Sequence, residues 1–149
     1  MDEHAETESL KEQMTRINEE ARMILPGIQA LFGFQSIAVF SDRFDQLPAY
    51  AQDCHAVALA LVVLAIGLVM LPAAYHRLVE AGRVSGRTIT IASRAICYAL
   101  APLAAGLALD ISVVLYMVTA QNVASAAGGI AVFLLLIGMW FVYPLHARR

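Results

Sequence analysis

The sequence predicts an all-α, polytopic membrane protein with four transmembrane helices and an N-terminal amphipathic cytoplasmic helix. The chain of 149 residues is 60% hydrophobic and 15% charged, whereas soluble domains have about 45–50% and about 25%. Ten of its 22 Lys, Arg, Asp and Glu residues lie in the first 22 positions. The other charges are too few to cover a water-exposed surface, and they separate four long apolar stretches. This composition excludes an ordinary soluble domain and a disordered chain.

The four apolar stretches have the length that membrane spans require. A helix needs about 20 mostly apolar residues to cross about 30 Å of hydrocarbon. The runs are continuous, unlike the alternating segments of about ten residues in a membrane barrel. Backbone groups in lipid must be hydrogen-bonded internally, which favours helices. We therefore expect a cytoplasmic helix over residues 1–22 and a four-helix transmembrane domain over 23–149, with spans at about 23–41, 54–76, 92–119 and 123–145.

The N-terminal region has the signals of an amphipathic helix. Ser9 and Glu12 have the spacing of a capping box at a helix start. Apolar residues then recur at steps of four and three from Leu10 to Leu31. This apolar stripe predicts packing either against the cytoplasmic end of the same bundle or the lipid surface, or between the subunits of a homo-oligomer.

The distribution of basic residues predicts the orientation. Four spans place both termini on one side, and nine of the ten Lys and Arg residues fall on that side, leaving only Arg43 on the other. The positive-inside rule then places both termini in the cytoplasm, with membrane lipids as partners. Cys54 and Cys97 lie at opposite ends of their spans, so we expect no disulfide between them.

Asp110 is the one acid inside a predicted span, whereas Arg94 lies at the inner end of the same span. An acid in mid-membrane costs about 2.5–3.5 kcal/mol on insertion scales and is by default a functional candidate. A rise of about 1.5 Å per residue puts Asp110 at a depth between Gln29 and Gln35 of the first span. We predict hydrogen bonds from Asp110 to Gln29, Gln35 or Ser36, of the same or a neighbouring subunit. These residues line a transport path or, alternatively, join the helices as hydrogen-bonding partners.

His55 is a further candidate for the transport path. It is placed at the outer mouth of the second span, where a histidine either senses pH or simply lies at the wet interface. Asp42, Asp45 and Asp53 cluster on the outer side and predict either a funnel that concentrates cations or three solvated loop acids. The sequence contains no metal-ligand spacing and no phosphate-binding or catalytic motif. We therefore expect no enzyme, no metal, no cofactor and no nucleic-acid partner.

Several segments also resemble a known family. They are Leu25 to Phe34, Arg43-Phe44, Pro72 to Arg77 and Ser93-Arg94. The chain resembles a family of small bacterial four-helix membrane proteins of uncharacterised function, some of whose members are labelled sodium:proton antiporters. The resemblance covers most of the chain from about residue 10 onwards. It implies the four-span topology, a bacterial inner membrane and, if subunits combine, exchange of sodium ions and protons.

Two functions remain open from the sequence. The first is an oligomeric ion channel or ion/proton transporter with a preference for cations, either monovalent cations or protons. Because four short helices cannot easily enclose a water path, this function requires a homo-oligomer. The second is a non-transporting structural or regulatory protein that binds a partner through its acidic N-terminal helix. If Asp110 and Gln29 face a shared axis or aqueous crevice, transport is favoured, and if they face a dry contact inside the subunit, a structural role is favoured.

Overall fold

The computed structural model describes residues 9–79 and 85–147, and every regular element in these two segments is a helix. The all-helical prediction is confirmed for these residues. The helices are α1 (Leu10–Ala38), α2 (Asp42–Asp45), α3 (Ala49–Val79), α4 (Gly86–Thr119) and α5 (Asn122–Ile137). A short π-helix (Gly138–Val142) and α6 (Tyr143–Ala147) continue α5 without a break.

Among the described residues, three helices are long and apolar enough to cross a membrane: Ala49–Val79, Gly86–Thr119 and Asn122–Ala147. They contain the second, third and fourth predicted spans. The second and third begin about a turn and a half earlier than predicted. The predicted first span is not among the three, because α1 ends at Ala38 instead of 41 and carries several polar residues within its apolar part.

α1 begins with the predicted capping box. The Ser9 hydroxyl accepts a hydrogen bond from the backbone N–H of Glu12 at 3.3 Å, and the Ser9 N–H donates to the Glu12 carboxylate at 2.8 Å. The backbone hydrogen bond from Ser9 holds the pKa of Glu12 below its ordinary value. The helix then runs unbroken through Pro26 to Ala38, so no helix end separates residues 10–22 from the predicted first span.

The apolar stripe of α1 packs inside the chain. Ile17 lies against Ala92 and Ile96 of α4, and Ile28 joins a buried cluster that includes Val62 of α3. Ile17 and Ile28 are 7% and 4% exposed. Part of the stripe is therefore buried within the chain, whereas Leu10 at its start is exposed.

Small residues allow α3, α4 and α5 to approach closely. A Cβ atom added to Gly106 of α4 would lie 3.2 Å from the carbonyl oxygen of Ala58 in α3. The Ser125 hydroxyl of α5 donates to the carbonyl of Ser112 in α4 at 2.5 Å. α4 and α5 form an antiparallel hairpin, and its turn begins at Ala120, which adopts the left-handed conformation (φ 53°).

The segment between α1 and α3, residues 39–48, folds over one end of the bundle, and we call it the cap. Phe44 and Leu47 are buried in a cluster with Val113 of α4. The side-chain amide of Gln52 donates to the carbonyls of Phe44 and Leu47, at 3.2 and 3.1 Å. These bonds fix the cap to the start of α3 and place the ring of Phe44 against the imidazole of His55.

Candidate functional site

Three helices bring an acid, a histidine and an amide together inside the bundle. Asp110 comes from α4, His55 from α3 and Gln35 from α1. The side chains of Asp110 and His55 are 14% and 7% exposed, and Gln35 is 4% exposed. Each residue lies about one to three helical turns from the end of its helix that the cap covers. The site is therefore a buried polar cluster near one end of an otherwise apolar bundle.

Both carboxyl oxygens of Asp110 have partners. Oδ2 accepts a hydrogen bond from Nε2 of Gln35, and Oδ1 lies 3.3 Å from Nδ1 of His55. The predicted contact between Asp110 and Gln35 is confirmed. The other two predicted partners are wrong for this subunit, since Gln29 is exposed on α1 and the Ser36 hydroxyl donates to the carbonyl of Phe32 in its own helix, at 2.9 Å.

The second ring nitrogen of His55, Nε2, also has a hydrogen-bond partner. Nε2 lies 3.0 Å from the backbone carbonyl oxygen of Gln35. A carbonyl oxygen only accepts, so Nε2 carries a hydrogen. Nδ1 and Asp110 can then hold one proton between them in two ways: either a neutral imidazole accepts from a carboxylic acid, or an imidazolium donates to a carboxylate. Both arrangements leave the pair neutral overall, and removal of the shared proton leaves one buried negative charge.

The ring of Phe44 covers this cluster. It meets the imidazole of His55 edge-to-face, with 5.2 Å between the ring centroids and 68° between the planes. Phe44 belongs to the cap and not to one of the long helices.

One buried acceptor in the cluster has no hydrogen-bond partner among the described residues. It is Oε1 of Gln35, on the same amide whose NH₂ group contacts Asp110. A buried acceptor left without a partner costs about 1–3 kcal/mol. The site thus presents an oxygen that a proton donor or a cation would satisfy.

Sequence reasoning placed His55 at the wet mouth of the second span because that span was expected to begin at residue 54. α3 begins at Ala49 instead, so His55 lies almost two turns inside the helix. The spacing of buried residues along α3 shows that His55 lies on the face of the helix that points into the bundle. His55, Ala58, Val62, Ala65 and Val69 follow steps of three and four and form one buried face.

The three candidates for a cation funnel lie outside this cluster. Asp42 and Asp45 are exposed on the cap, and Asp53 is exposed on α3. Their role as a funnel stays a prediction.

Cys54 and Cys97 are both free thiols. Among residues 9–79 and 85–147, no group of three or more His, Cys, Asp or Glu side chains could hold a metal ion.

The direction of Asp110 bears on the two functions that the sequence leaves open. Asp110 points into a contact between α1, α3 and α4 of one subunit, and Gln29 is exposed at the surface. This arrangement does not line a pore on an axis shared between subunits. It is an enclosed site within one subunit, which by the criterion given above favours a structural role over a pore lining.

Comparison with known sequences gives one family match. The sequence profile of DUF6328, described as a family of unknown function, matches residues 3–144. No match was found among curated proteins or among solved structures. The matched region includes all three residues of the buried cluster and the cap. Because the match spans nearly the whole sequence, the chain belongs to the DUF6328 family.

Proposed function

We propose that this protein carries protons across a membrane, in exchange for a monovalent cation, by loading and unloading the His55–Asp110 pair. The contact between His55 Nδ1 and Asp110 Oδ1 supports this proposal most directly. Ionisable residues in a membrane are expensive, and they mark proton relays and ion paths. An Asn in place of the acid would join the helices equally well without a titratable group. A paired acid and imidazole suits a site that takes up and releases a proton.

The enclosed geometry favours a carrier over an open channel. A channel requires a continuous path lined by polar groups or water. A carrier instead exposes one site alternately to the two sides. The cluster is surrounded by three helices, and Phe44 lies over it. Displacement of the cap would expose the pair to one side only, as a carrier requires.

The cluster also offers oxygen ligands for a cation. When the shared proton leaves, the pair carries one negative charge, and a monovalent cation would restore neutrality. The carboxylate of Asp110 and Oε1 of Gln35 are the oxygens available for it. One proton released for one cation bound keeps the charge balanced. This exchange agrees with the antiporter label in the family that the sequence resembles.

We further propose that α1 is a fourth span and that both termini lie in the cytoplasm of a bacterial inner membrane. α1 lies antiparallel to α3, with Asn18 near Arg77 at one end and Gln35 against His55 at the other. About 26 Å of helix separates Asn18 from Gln35, close to the thickness of the hydrocarbon core. The hydrogen bonds of Gln35 offset part of the cost of placing this amide in lipid.

A homo-oligomer is proposed on the basis of the apolar surface of the last helix. Only 11% of the most apolar window of Asn122–Ala147 is buried within the chain. Large apolar side chains such as Ile130, Leu134 and Leu135 are exposed on it. Lipid or a second copy of the chain covers this face, whereas Met14, Ile17 and Ile28 in the stripe of α1 are already buried.

A structural role is the second candidate, and the contacts of the cluster with α1 support it. His55 and Asp110 both bind α1, so the cluster fastens that helix to α3 and α4. In this case the pair keeps its proton permanently. The protein then acts as a membrane anchor whose acidic N-terminal region binds a partner, and the acids at positions 2, 3, 6 and 8 of that region lie outside the described residues.

Flux in proteoliposomes tests the proposed function. Purified protein is reconstituted with a pH-sensitive dye inside the vesicles, and gradients of Na⁺, K⁺ and Li⁺ are applied in turn. We expect proton movement driven by at least one cation in the wild type. Asp110→Asn should abolish this movement while keeping the same insertion and oligomeric size. Glu20→Gln, which removes an exposed acid of α1 outside both the cluster and the predicted funnel, is the matched control and should transport like the wild type.

Two results would contradict the transport proposal. One is wild-type flux no faster than that of protein-free vesicles for every cation. The other is full flux from Asp110→Asn, because the amide keeps the shape of the side chain and cannot carry the proton. Either result would leave the structural role as the better explanation of the cluster.

A further inference from the structure

A groove between α1 and α3, at the end of the bundle opposite the cap, plays no part in the function proposed above. Its volume is about 580 Å³. Residues from the first half of α1 and the last turns of α3 line it, and they include Arg22, Leu25, Val69, Ala73, His76 and Arg77.

The rim of the groove is cationic. Arg22 and Arg77 approach it from the two helices, and both side chains are exposed. Neither forms an ion pair with an acid among the described residues, and no Asp or Glu lines the groove within that part of the chain. Guanidinium groups bind phosphate oxygens through paired hydrogen bonds. Within the described part of the chain, no acid that lines the groove competes with a phosphate group for these two arginines.

The wall of the groove is apolar. Leu25 of α1 and Val69, Met70 and Ala73 of α3 extend it from the arginines towards the middle of the helices. A free phosphate ion would use the rim and leave this wall uncovered, and a zwitterionic lipid would bring a cationic head group to a cationic rim. An anionic head group joined to an acyl chain matches both parts.

We propose that this groove binds one anionic phospholipid, with its phosphate between Arg22 and Arg77 and an acyl chain along Leu25, Val69 and Ala73. Arg77 lies in the last turns of α3, one of the three helices long enough to span a membrane. Its position there sets the phosphate at the level where lipid head groups lie. The proposal does not depend on proton transport, because the groove and the His55–Asp110 pair occupy opposite ends of the bundle.

Lipid titration of the full-length protein tests the proposal. Delipidated protein in mild detergent is titrated with phosphatidylglycerol and, separately, with phosphatidylcholine of the same acyl chains, and bound lipid is counted by native mass spectrometry. We expect one phosphatidylglycerol per chain to bind more tightly than phosphatidylcholine. The double variant Arg22→Gln/Arg77→Gln should bind phosphatidylglycerol about thirtyfold more weakly, as expected from the loss of two basic residues at a lipid surface.

A matched control separates the site from general attraction to positive charge. Arg87→Gln with Arg94→Gln removes two exposed arginines of α4 that do not line the groove. It should change phosphatidylglycerol binding by less than about twofold, since only local charges act strongly in salt. Equal losses from both double variants would overturn the proposal.

The identity of the ligand is tested in two further arms. Ala73→Trp fills the groove at an exposed position and leaves the arginines in place. This variant should bind phosphatidylglycerol more weakly. In the second arm, excess inorganic phosphate should not displace the lipid from the wild-type protein. Unchanged binding by Ala73→Trp would contradict the acyl-chain contact, and displacement by inorganic phosphate would identify a free-phosphate site in place of a lipid site.

Discussion

At the scale of single residues, two substitutions of Asp110 differ in which hydrogen bonds they keep. In Asp110→Asn the carbonyl can accept from Gln35 and the NH₂ can donate to Nδ1 of His55, so every partner stays satisfied. In Asp110→Leu the amide of Gln35 and Nδ1 of His55 stay buried and lose their hydrogen-bond partner. We expect Asp110→Asn to unfold within a few degrees of the wild type. Asp110→Leu should lose about 2–5 kcal/mol.

Thermal unfolding in detergent, followed by circular dichroism, measures this difference. Gln29→Leu is a suitable control, because Gln29 is exposed on α1 and contributes no bond to the cluster. It should unfold like the wild type. Similar unfolding temperatures for the Leu and Asn variants of Asp110 would show that the cluster contributes nothing to stability, contrary to the geometry.

The site could be predicted in part at this scale. Asp110 stands out as the one acid within a span, and counting residues by depth places it between Gln29 and Gln35. Depth alone does not give the direction of a side chain around the helix. For this reason the prediction names Gln29 and Ser36 as alternatives to Gln35, which is the observed partner. His55 was assigned to the interface because its distance from the start of α3 was misjudged. A helix start without a Ser, Thr or Asn side-chain cap, as at Ala49, gives the sequence little signal.

At the scale of secondary-structure elements, the cap controls access to the cluster. Phe44 and Leu47 are both 8% exposed, yet only Phe44 packs on the imidazole. We expect Phe44→Ala to expose His55 and to speed its modification by diethyl pyrocarbonate, measured by mass spectrometry of the peptide. Leu47→Ala removes a similar apolar contact from the same segment and should leave the rate near that of the wild type. Equal rates for the two variants would contradict a specific cover over the site.

The contact between α4 and α5 depends on the absence of a side chain at Gly129. A Cβ atom there would lie 2.8 Å from the carbonyl oxygen of Ala108. We expect Gly129→Ala to destabilise the protein by about 1–3 kcal/mol through overpacking. Gly67 of α3 has no atom within 4 Å of an added Cβ, and Gly67→Ala should stabilise by about 0.5–1 kcal/mol. Thermal unfolding compares them, and a stabilised Gly129→Ala variant would show that the helices are farther apart.

The elements themselves were largely predictable, and their contacts were not. The capping box at Ser9 was read directly from its spacing and is present. The stripe from Leu10 to Leu31 shows that one face of α1 is buried, but periodicity does not say which surface buries it. Ile17 and Ile28 pack on α4 and α3, so the homo-oligomer interface proposed above must use other surfaces.

At the scale of the whole molecule, the position of α1 in the membrane decides the topology. If α1 is a span, residues 19 and 43 lie on opposite sides of the membrane. We expect Arg43→Cys, in a chain with Cys54→Ala and Cys97→Ala, to react with an impermeant maleimide in intact cells. Glu19→Cys in the same background should react only after permeabilisation. Labelling of both positions from the same side would show that α1 does not cross.

Composition alone predicts the class of this molecule, because so few charges cannot cover a water-exposed surface. It does not decide the number of spans. Gln29, Gln35 and Ser36 make α1 less apolar than the other long helices, and a hydropathy criterion cannot distinguish a surface helix from a span whose polar groups are bonded within the bundle. The hydrogen bond from Gln35 to Asp110 is the kind of contact that only the packed structure supplies.

The central claim is that the proton shared by His55 and Asp110 exchanges with water. Infrared difference spectroscopy of the reconstituted protein, cycled between acidic and alkaline pH, measures it most directly. Subtraction of the Asp110→Asn spectrum isolates the bands of this one carboxyl group. We predict that these bands change with pH in the wild type and that Asp53→Asn keeps the change. Asp110 bands that stay constant over the whole pH range would show a permanently loaded pair and would contradict the account.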